Sequence, residues 1–257
     1  MIKILLSGCN GRMGTAISEL CLKNKNLIIS AGVDVSKTCK STYPVYTDFD
    51  SVREDADVVI DFSNPSVLPS LLGYCVGKKL PLVSCTTGYT DDNLADIEKA
   101  SESIPVFRSG NMSLGVNILI ALVKQAARVL GDTFDIEIIE KHHNQKLDAP
   151  SGTAVMIADA IEESVCYDAI RVYDRHAYKK KRDRNEIGIH SVRGGTIIGE
   201  HEVIFAGENE TLELKHIAQS REVFASGALS AARFLTECRM PGKYSMDDLI
   251  AAASLKK

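Results

Sequence analysis

Residues 140–154 read EKHHNQKLDAPSGTA and gather two adjacent histidines, a lysine and a Pro-Ser-Gly-Thr turn in one short run. An imidazole exchanges protons near neutral pH, so His142 and His143 suit proton transfer to a bound group. Lys146 follows His142 by four residues and offers a second proton, or a charge that steadies developing negative charge. Pro150 and Ser151 have the form of a helix start, with Ser151 or Asp148 as its cap. The backbone N–H groups of Gly152 and Thr153 would then lie at the positive end of a helix dipole, which suits a carboxylate. Glycine at 152 permits close approach, and the Thr153 hydroxyl adds a donor. Two plainer readings stand beside these on the residues alone. The histidines could ligate a metal, although no third ligand sits at a recognised spacing, or they could be surface histidines beside a capped helix.

Such residues need a scaffold, and the chain is long enough for one. Its 257 residues are 45% hydrophobic and 25% charged, an ordinary globular composition for one large or two modest domains. A formal net charge of -4 gives no overall attraction to nucleic acid or to an anionic membrane. The basic run at 179–184 (KKKRDR) is expected to be a solvated loop. The opening MIKILLSG is too short to read as a signal peptide, and no apolar run has membrane-spanning length. Seven scattered cysteines, at 9, 21, 39, 75, 85, 166 and 238, fit neither a disulfide framework nor a zinc site and point to a reducing cytoplasm.

Short apolar runs at 2–7, 27–34, 57–63, 80–85 and 104–109 each end in polar or glycine-rich residues. Ala16, Ile17, Leu20 and Cys21 mark one face of a first helix, and helical segments are expected near 66–77 and 91–101. The link at 35–56 has no clear pattern. Alternating strands and helices predict an α/β fold with a Rossmann-like, doubly wound parallel sheet, whose ligands lie beyond the carboxyl ends of its strands. After residue 112 the pattern changes. A helix over 115–130, the run FDIEIIE, a helix over 151–163 and three further strands predict a smaller α+β domain with a mixed open sheet. The final helices, REVFASGALSAARFL and MDDLIAAAS, are expected to return to the first domain. The boundaries are 1–111 with 218–257, and 112–217.

Gly8, Gly11 and Gly14 form a G-x-x-G-x-x-G loop between the first strand and first helix. Glycines there let the backbone approach a pyrophosphate held at the helix N-terminus. Asp34 ends the second strand twenty positions after Gly14, where an acid accepts from adenosine ribose hydroxyls and favours NAD over NADP. Lys37 is placed to meet a 2′-phosphate or to be plain surface, so both NADH and NADPH stay open.

The segments GCNGRMG, DFSNP, TTG, GNMSLGVN, EKHHNQKLDAPSGTA and HSVRGGTIIGEH occur in this order from end to end. Together they resemble the 4-hydroxy-tetrahydrodipicolinate reductase (dihydrodipicolinate reductase) family of lysine and diaminopimelate biosynthesis, and the H-H-x-x-K-x-D-A-P-S-G-T run is the specific element. The resemblance implies NAD(P)H-dependent reduction of a cyclic, unsaturated imine dicarboxylate in a homotetramer built through substrate-domain sheets. It implies cofactor contacts at Gly8, Cys9, Asn10, Gly11, Arg12, Met13, Asp34, Cys85, Thr86, Thr87, Ser109, Gly110, Asn111 and Met112. It implies His142 and Lys146 as proton donors, with His143 contacting substrate; Gly152 and Thr153 are read as substrate-binding from the helix start, and no metal is expected from the ligand spacing. Hydride addition at C4 leaves electron density at C3, which must take a proton. Cys85 stands where the family usually has glycine, so its side chain is expected to crowd the nicotinamide pocket. Met112 stands where an aromatic residue is common.

Other motifs carry less. Gly194 and Gly195 read as a strand turn rather than a ligand contact, and His190, Arg193 and His201 as strand packing, with support of the site as the alternative. Asp61 either orients a neighbouring loop or caps the turn before Pro65. The competing functions are another two-domain NAD(P)-linked oxidoreductase, such as an amino-acid dehydrogenase, and a non-catalytic NAD(H)-binding sensor.

Overall fold

The computed structural model describes residues 1–37, 42–177, 179–238 and 240–255. In chain order the first elements are β1 (Ile2–Ser7), α1 (Arg12–Leu22), β2 (Leu27–Val33), β3 (Val45–Tyr46), β4 (Val58–Asp61) and a 3-10 turn (Pro65–Val67). They continue with α2 (Leu68–Lys78), β5 (Leu82–Ser84), α3 (Asp91–Ser101), β6 (Pro105–Arg108), α4 (Leu114–Leu130), β7 (Asp135–His142) and α5 (Gly152–Glu162). The remainder are β8 (Ile170–Val172), β9 (Glu186–Arg193), β10 (Gly199–Ala206), β11 (Thr211–Ala218), α6 (Glu222–Glu237), β12 (Gly242–Tyr244) and α7 (Met246–Leu255). They fall into two units, Met1–Leu114 with Glu222–Lys257, and Gly115–Arg221.

The first unit is built on a parallel seven-stranded sheet in the order β12-β6-β5-β4-β1-β2-β3. Its central strands are continuous apolar runs because helices cover both faces. Ile17 and Cys21 of α1, with Ala16 and Leu20 beside them, pack on one face with Ala228, Ala232 and Leu235 of α6. On the other face Leu68, Leu71 and Cys75 of α2 meet Ile97 and Ala100 of α3. Asn64 caps the turn before α2 by accepting from the Ser66 N–H, and Thr90 and Asn93 form a capping box on α3. β1 has β2 on one side and β4 on the other, so the loops after β1 and β4 part at the topological switch point.

The second unit holds a five-stranded sheet in the order β11-β10-β7-β9-β8. β10 runs antiparallel to β7 and β11, while β9 runs parallel to β7 and β8, so the sheet is mixed. Along β7 the side chains alternate, and Ile136, Ile138, Glu140 and His142 are the buried row. The apolar members of that row pack with Val123 of α4, Ile157 and Ile161 of α5, and Val203 and Phe205 of β10. Glu140 and His142 complete the row at its carboxyl end.

The link at 35–56 contains β3, and Cys39 within it lies outside the described residues. β3, β8 and β12 have two or three residues each and sit at or near sheet edges, too short to show a periodicity. The basic run is not simply solvated. Arg182 is clamped by Asp135 at 2.8 Å and Glu137 at 2.9 Å and also donates to the Ile136 carbonyl at 3.0 Å. Lys180 pairs with Asp183 and Glu186. The run fastens the approach to β9 onto β7.

Candidate active site

The glycine loop of the first unit is closed by contacts that leave no space for side chains at two positions. Gly8 has a φ of 76°, and a Cβ there would lie 2.4 Å from the Phe62 carbonyl oxygen. A Cβ on Gly14 would lie 2.4 Å from the Gly8 oxygen and 2.5 Å from the Cys9 oxygen. α1 therefore starts hard against the end of β1. Its cap, Gly11, has no side chain to bond, and its first turn carries no acid. Nothing in its own sequence neutralises the positive end of this helix, so the residues fit a dinucleotide pyrophosphate.

Asp34 comes to this loop, as its Oδ2 accepts from the Asn10 N–H at 2.9 Å. The Asn10 amide in turn donates to the Ser36 carbonyl at 2.8 Å. Arg12 is exposed at the first position of α1, and Met13 is half-buried on the core. Lys37 is exposed, and its charge helps hold the Asp48 carboxyl below the usual range, behind the Ser51 hydrogen bonds.

The segments 85–87 and 109–112 follow β5 and β6, on the same carboxyl edge of the sheet. Cys85 is 8% exposed and joins the core with Val83 and Met112, so its side chain turns inward. Burial pushes its thiol well up, and the Asp61 carboxylate pushes it further. Met112 and Cys9 are buried in the same cluster. Thr87 and Gly110 are exposed. Ser109 donates to the Asn111 carbonyl at 3.0 Å, and the Asn111 side chain accepts from the Ser113 N–H at 2.8 Å.

Asp61 orients a loop and caps nothing ahead of Pro65, where Asn64 does that work. Its buried carboxylate accepts from the Ser63 hydroxyl at 2.5 Å and the Thr86 hydroxyl at 2.6 Å. Thr86 Oγ1 then accepts from the Ser63 N–H at 2.9 Å, which locks the loop after β5 to the loop after β4.

In the second unit the 140–154 run folds back on itself. Glu140 and His142 are two apart on one strand and share a face, and Glu140 Oε2 lies 2.6 Å from His142 Nδ1. Arg193, the β9 neighbour of His142, closes a bidentate pair on Glu140 at 2.6 and 2.8 Å. The Ser151 N–H donates to Glu140 Oε1 at 3.1 Å. Ser151 is the cap of α5, its hydroxyl accepting from the Ala154 N–H at 3.2 Å. Gly152 is exposed with open space around it, and Thr153 is half-buried. Lys146 is paired with Asp148 at 2.9 Å, so Asp148 is a counter-ion and not the helix cap. The lysine holds the Asp148 carboxyl below its ordinary range, against a smaller upward push from burial. The Arg193 guanidinium also donates to the Asp148 carbonyl at 2.6 Å. His143 is half-buried just beyond the strand, and its carbonyl accepts from the Lys146 N–H at 3.1 Å.

Arg193 and His201 therefore serve this cluster rather than strand packing alone. His201 lies on the inner face of β10, 5.2 Å from the His142 ring in an edge-on arrangement, and its Nε2 is 3.0 Å from Ser151 Oγ. His190 is elsewhere, paired with Glu137 on the opposite face. Gly194 and Gly195 form the turn after β9 and also fasten the motif. The Gly194 N–H donates to the His142 carbonyl at 2.9 Å, and the Gly195 carbonyl accepts from the Asn144 N–H at 3.2 Å. Sequence reasoning assigned no role to Glu140. The signal was present, since E-x-H on a strand puts both side chains on one face.

Electrostatics follow from this burial. Burial raises the Glu140 carboxyl, but hydrogen bonds from Arg193 and His142 outweigh it and bring it down to about 2. Burial lowers His142 below an ordinary histidine, against the upward pull of Glu140. Burial also lowers His201, to about 4, with the His142 charge adding to the effect. A histidine held neutral in the fold stabilises it fully above the unfolded pKa and loses that contribution as pH falls through the folded value. For His201 the window is pH 6.5 to about 4, and its contribution is on the order of 3 kcal/mol. The Tm of the wild type should fall across this window, and that of His201→Gln should fall less. Equal losses by calorimetry would remove His201 as the source.

Among the described residues, no group of three His, Cys, Asp or Glu could hold a metal, and no helix is long and apolar enough to cross a membrane. Residues 2–112 match the family described as Dihydrodipicolinate reductase, N-terminus, and residues 115–250 match Dihydrodipicolinate reductase, C-terminus. A 4-hydroxy-tetrahydrodipicolinate reductase of Caldanaerobacter subterraneus subsp. tengcongensis is 53% identical over 97% of this chain and 98% of its own. One from Clostridium tetani is 51% identical over 97% of each. The structure of dipicolinate-bound dihydrodipicolinate reductase from Paenisporosarcina sp. TG-14 superposes with a TM-score of 0.78 at 26% identity, covering 95% of this chain and 97% of that one. Matched in both halves and half identical to such relatives along nearly all of its length, this chain belongs to the 4-hydroxy-tetrahydrodipicolinate reductase family.

Proposed function

We propose that His142 and Lys146 deliver the proton in the reaction that family membership gives this chain. That reaction is NAD(P)H-dependent reduction of 4-hydroxy-tetrahydrodipicolinate, through dihydrodipicolinate, to tetrahydrodipicolinate. The observation that carries this reading is one buried carboxylate, Glu140, holding both the His142 ring and the Ser151 N–H at the start of α5. A proton carrier and the N-terminus of a helix are thereby fixed to one point. Bound nicotinamide would supply a hydride to C4, and C3 must then take a proton.

His142 is held below the ordinary histidine range when the site is without substrate, chiefly by burial. A dicarboxylate beside the ring raises its pKa and so loads the proton when it is needed. Lys146 meets a substrate carboxylate by exchanging its partner Asp148 for it, which keeps the lysine charge matched throughout. His143, Gly152 and Thr153 take a substrate carboxylate at the α5 N-terminus, where backbone donors and helix dipole favour an anion. The dipicolinate carried by the Paenisporosarcina relative is of the same chemical class.

In the first unit, Gly8, Cys9, Asn10, Gly11, Arg12 and Met13 would hold the pyrophosphate and Asp34 the adenosine ribose. Segments 85–87 and 109–112 would line the nicotinamide side, with backbone atoms serving at Cys85 and Met112, whose side chains are core. Assembly is proposed as a homotetramer through the outer face of the second sheet, where Val192 and Ile217 are exposed. A cytoplasmic setting is proposed with it.

The test is oxidation of NADH or NADPH coupled to a dihydrodipicolinate-forming enzyme. Turnover should depend on that enzyme, and NADH should be preferred because a 2′-phosphate beside Asp34 is repelled by on the order of 1–2 kcal/mol. Asp34→Ala should weaken NADH and relax the discrimination. No coupled oxidation with either nucleotide would overturn the activity, and much tighter NADPH in the wild type would overturn the role of Asp34.

A further inference from the structure

Glu140 has no exposed surface, and both of its oxygens are fully engaged. Oε1 accepts from the Ser151 N–H at 3.1 Å and from Arg193 at 2.6 Å. Oε2 accepts from Arg193 at 2.8 Å and faces His142 Nδ1 at 2.6 Å. The same guanidinium reaches the Asp148 carbonyl at 2.6 Å, and Asp148 holds Lys146. His142, Ser151 and, through Arg193, the Asp148–Lys146 pair are thus tied to a single carboxylate, although Glu140 itself need touch no substrate.

We propose that Glu140 is a positioning residue: it accepts a hydrogen bond from His142 Nδ1–H, fixes that tautomer and ring orientation, and leaves Nε2 as the only nitrogen through which His142 can transfer a proton. The proposal rests on the reading of His142 as proton donor. An ionised carboxylate accepts only, so Nδ1 must donate and the neutral ring carries its hydrogen there. Arg193 keeps the carboxylate ionised, which an isolated buried glutamate would not be. Ring orientation is further set by His201, packed edge-on at 5.2 Å. At the start of β10, a Cβ on Gly199 would lie 3.1 Å from Nε2, so glycine leaves this nitrogen its space. The charged and titratable groups facing the ring are Glu140 on its own strand, Arg193 from β9, His201 from β10 and Lys146 from the following loop. Of these only Glu140 favours the protonated ring.

The experiment reads the tautomer and the rate together. In ¹⁵N-labelled wild-type protein, the neutral His142 ring should carry hydrogen on Nδ1. In Glu140→Gln it should shift toward the Nε2–H form, and kcat should fall by about 10–10²-fold while NADH binding is unchanged. The alkaline limb of the kcat profile should move down by about one pH unit, because loss of the carboxylate lowers the His142 pKa. Glu140→Asp should restore part of both. A purely structural ion pair would lower Tm in Glu140→Gln yet leave the tautomer and the alkaline limb in place, and that result overturns the proposal. If Glu140→Gln does not fold, the wild-type spectrum decides alone, since an Nε2–H ring there also overturns it. An Nδ1–H ring that responds to Glu140→Gln, alongside full kcat in His142→Gln, would leave Glu140 as the orienting group and remove His142 as the donor.

Discussion

His142→Gln should lower kcat by about 10²–10⁴-fold and leave substrate KM little changed. Glutamine has similar reach and can donate its amide N–H to Glu140, so the buried carboxylate keeps a partner and the fold should survive. What the variant loses is an acidic proton near neutral pH, and that loss falls on the transition state rather than on ground-state binding. Tm and NADH affinity should match the wild type and serve as controls. Lys146→Met, by contrast, removes a charge proposed to meet substrate, so kcat and KM should both worsen. If the two residues share one proton-transfer step, the double variant should lose less than the sum of the single losses. The decisive comparison is at saturating substrate and cofactor, with a deuteride isotope effect showing that hydride transfer limits the rate. A near-normal kcat there would mean that water or Lys146 protonates C3.

Gly14→Ala should weaken NADH binding by about 10–10²-fold, roughly 1–3 kcal/mol. The atoms that a methyl group would strike are the backbone oxygens of Gly8 and Cys9, at 2.4 and 2.5 Å, and neither can rotate away. Either α1 retreats or the turn after β1 opens, and in both cases the helix N-terminus leaves the place where a pyrophosphate would meet it. Gly8→Ala should be harsher still, since its φ of 76° is itself unfavourable for an L side chain. Fluorescence titration with NADH measures the effect, with circular dichroism to show that the sheet persists. Affinity within about twofold of wild type would mean that the loop has slack the contacts do not reveal, and its role as a pyrophosphate cradle would fall.

The two substitutions probe parts of the protein that were unequally legible in the sequence. The tight glycine turn between β1 and α1 could be read directly. A tight strand-to-helix turn demands glycine at particular places, and such demands are local. The α5 start was readable for the same reason, as Pro150 and Ser151 carry a helix signal within a few residues. Strands β1, β2, β4, β5 and β6 were visible as apolar runs because a sheet covered on both faces needs them. β3, β8 and β12 were not, because a strand of two or three residues is held by its neighbour's hydrogen bonds rather than by its own pattern.

What the sequence determined by itself about this protein is therefore its family and its architecture of a parallel sheet and a mixed sheet, and it singled out the run proposed to carry its chemistry. Tertiary structure alone decided who partners whom. Arg193 is 53 residues from Glu140 and reaches it because β9 pairs with β7 in a register that sets Arg193 beside His142. His201 comes from β10 on the opposite flank and meets Ser151 across 50 residues. Cys85 and Met112 turned inward because α6 covers that face of the sheet and supplies the apolar surface they bury against. Arg182, read as part of a solvated loop, became the counter-ion of Asp135 and Glu137, which only the folded chain brings near. Strand register is set by the sum of many backbone and side-chain contacts along each strand, and no single residue encodes it. The pairing of buried charges inherits that dependence, since a charge is stable inside only where the register delivers its partner.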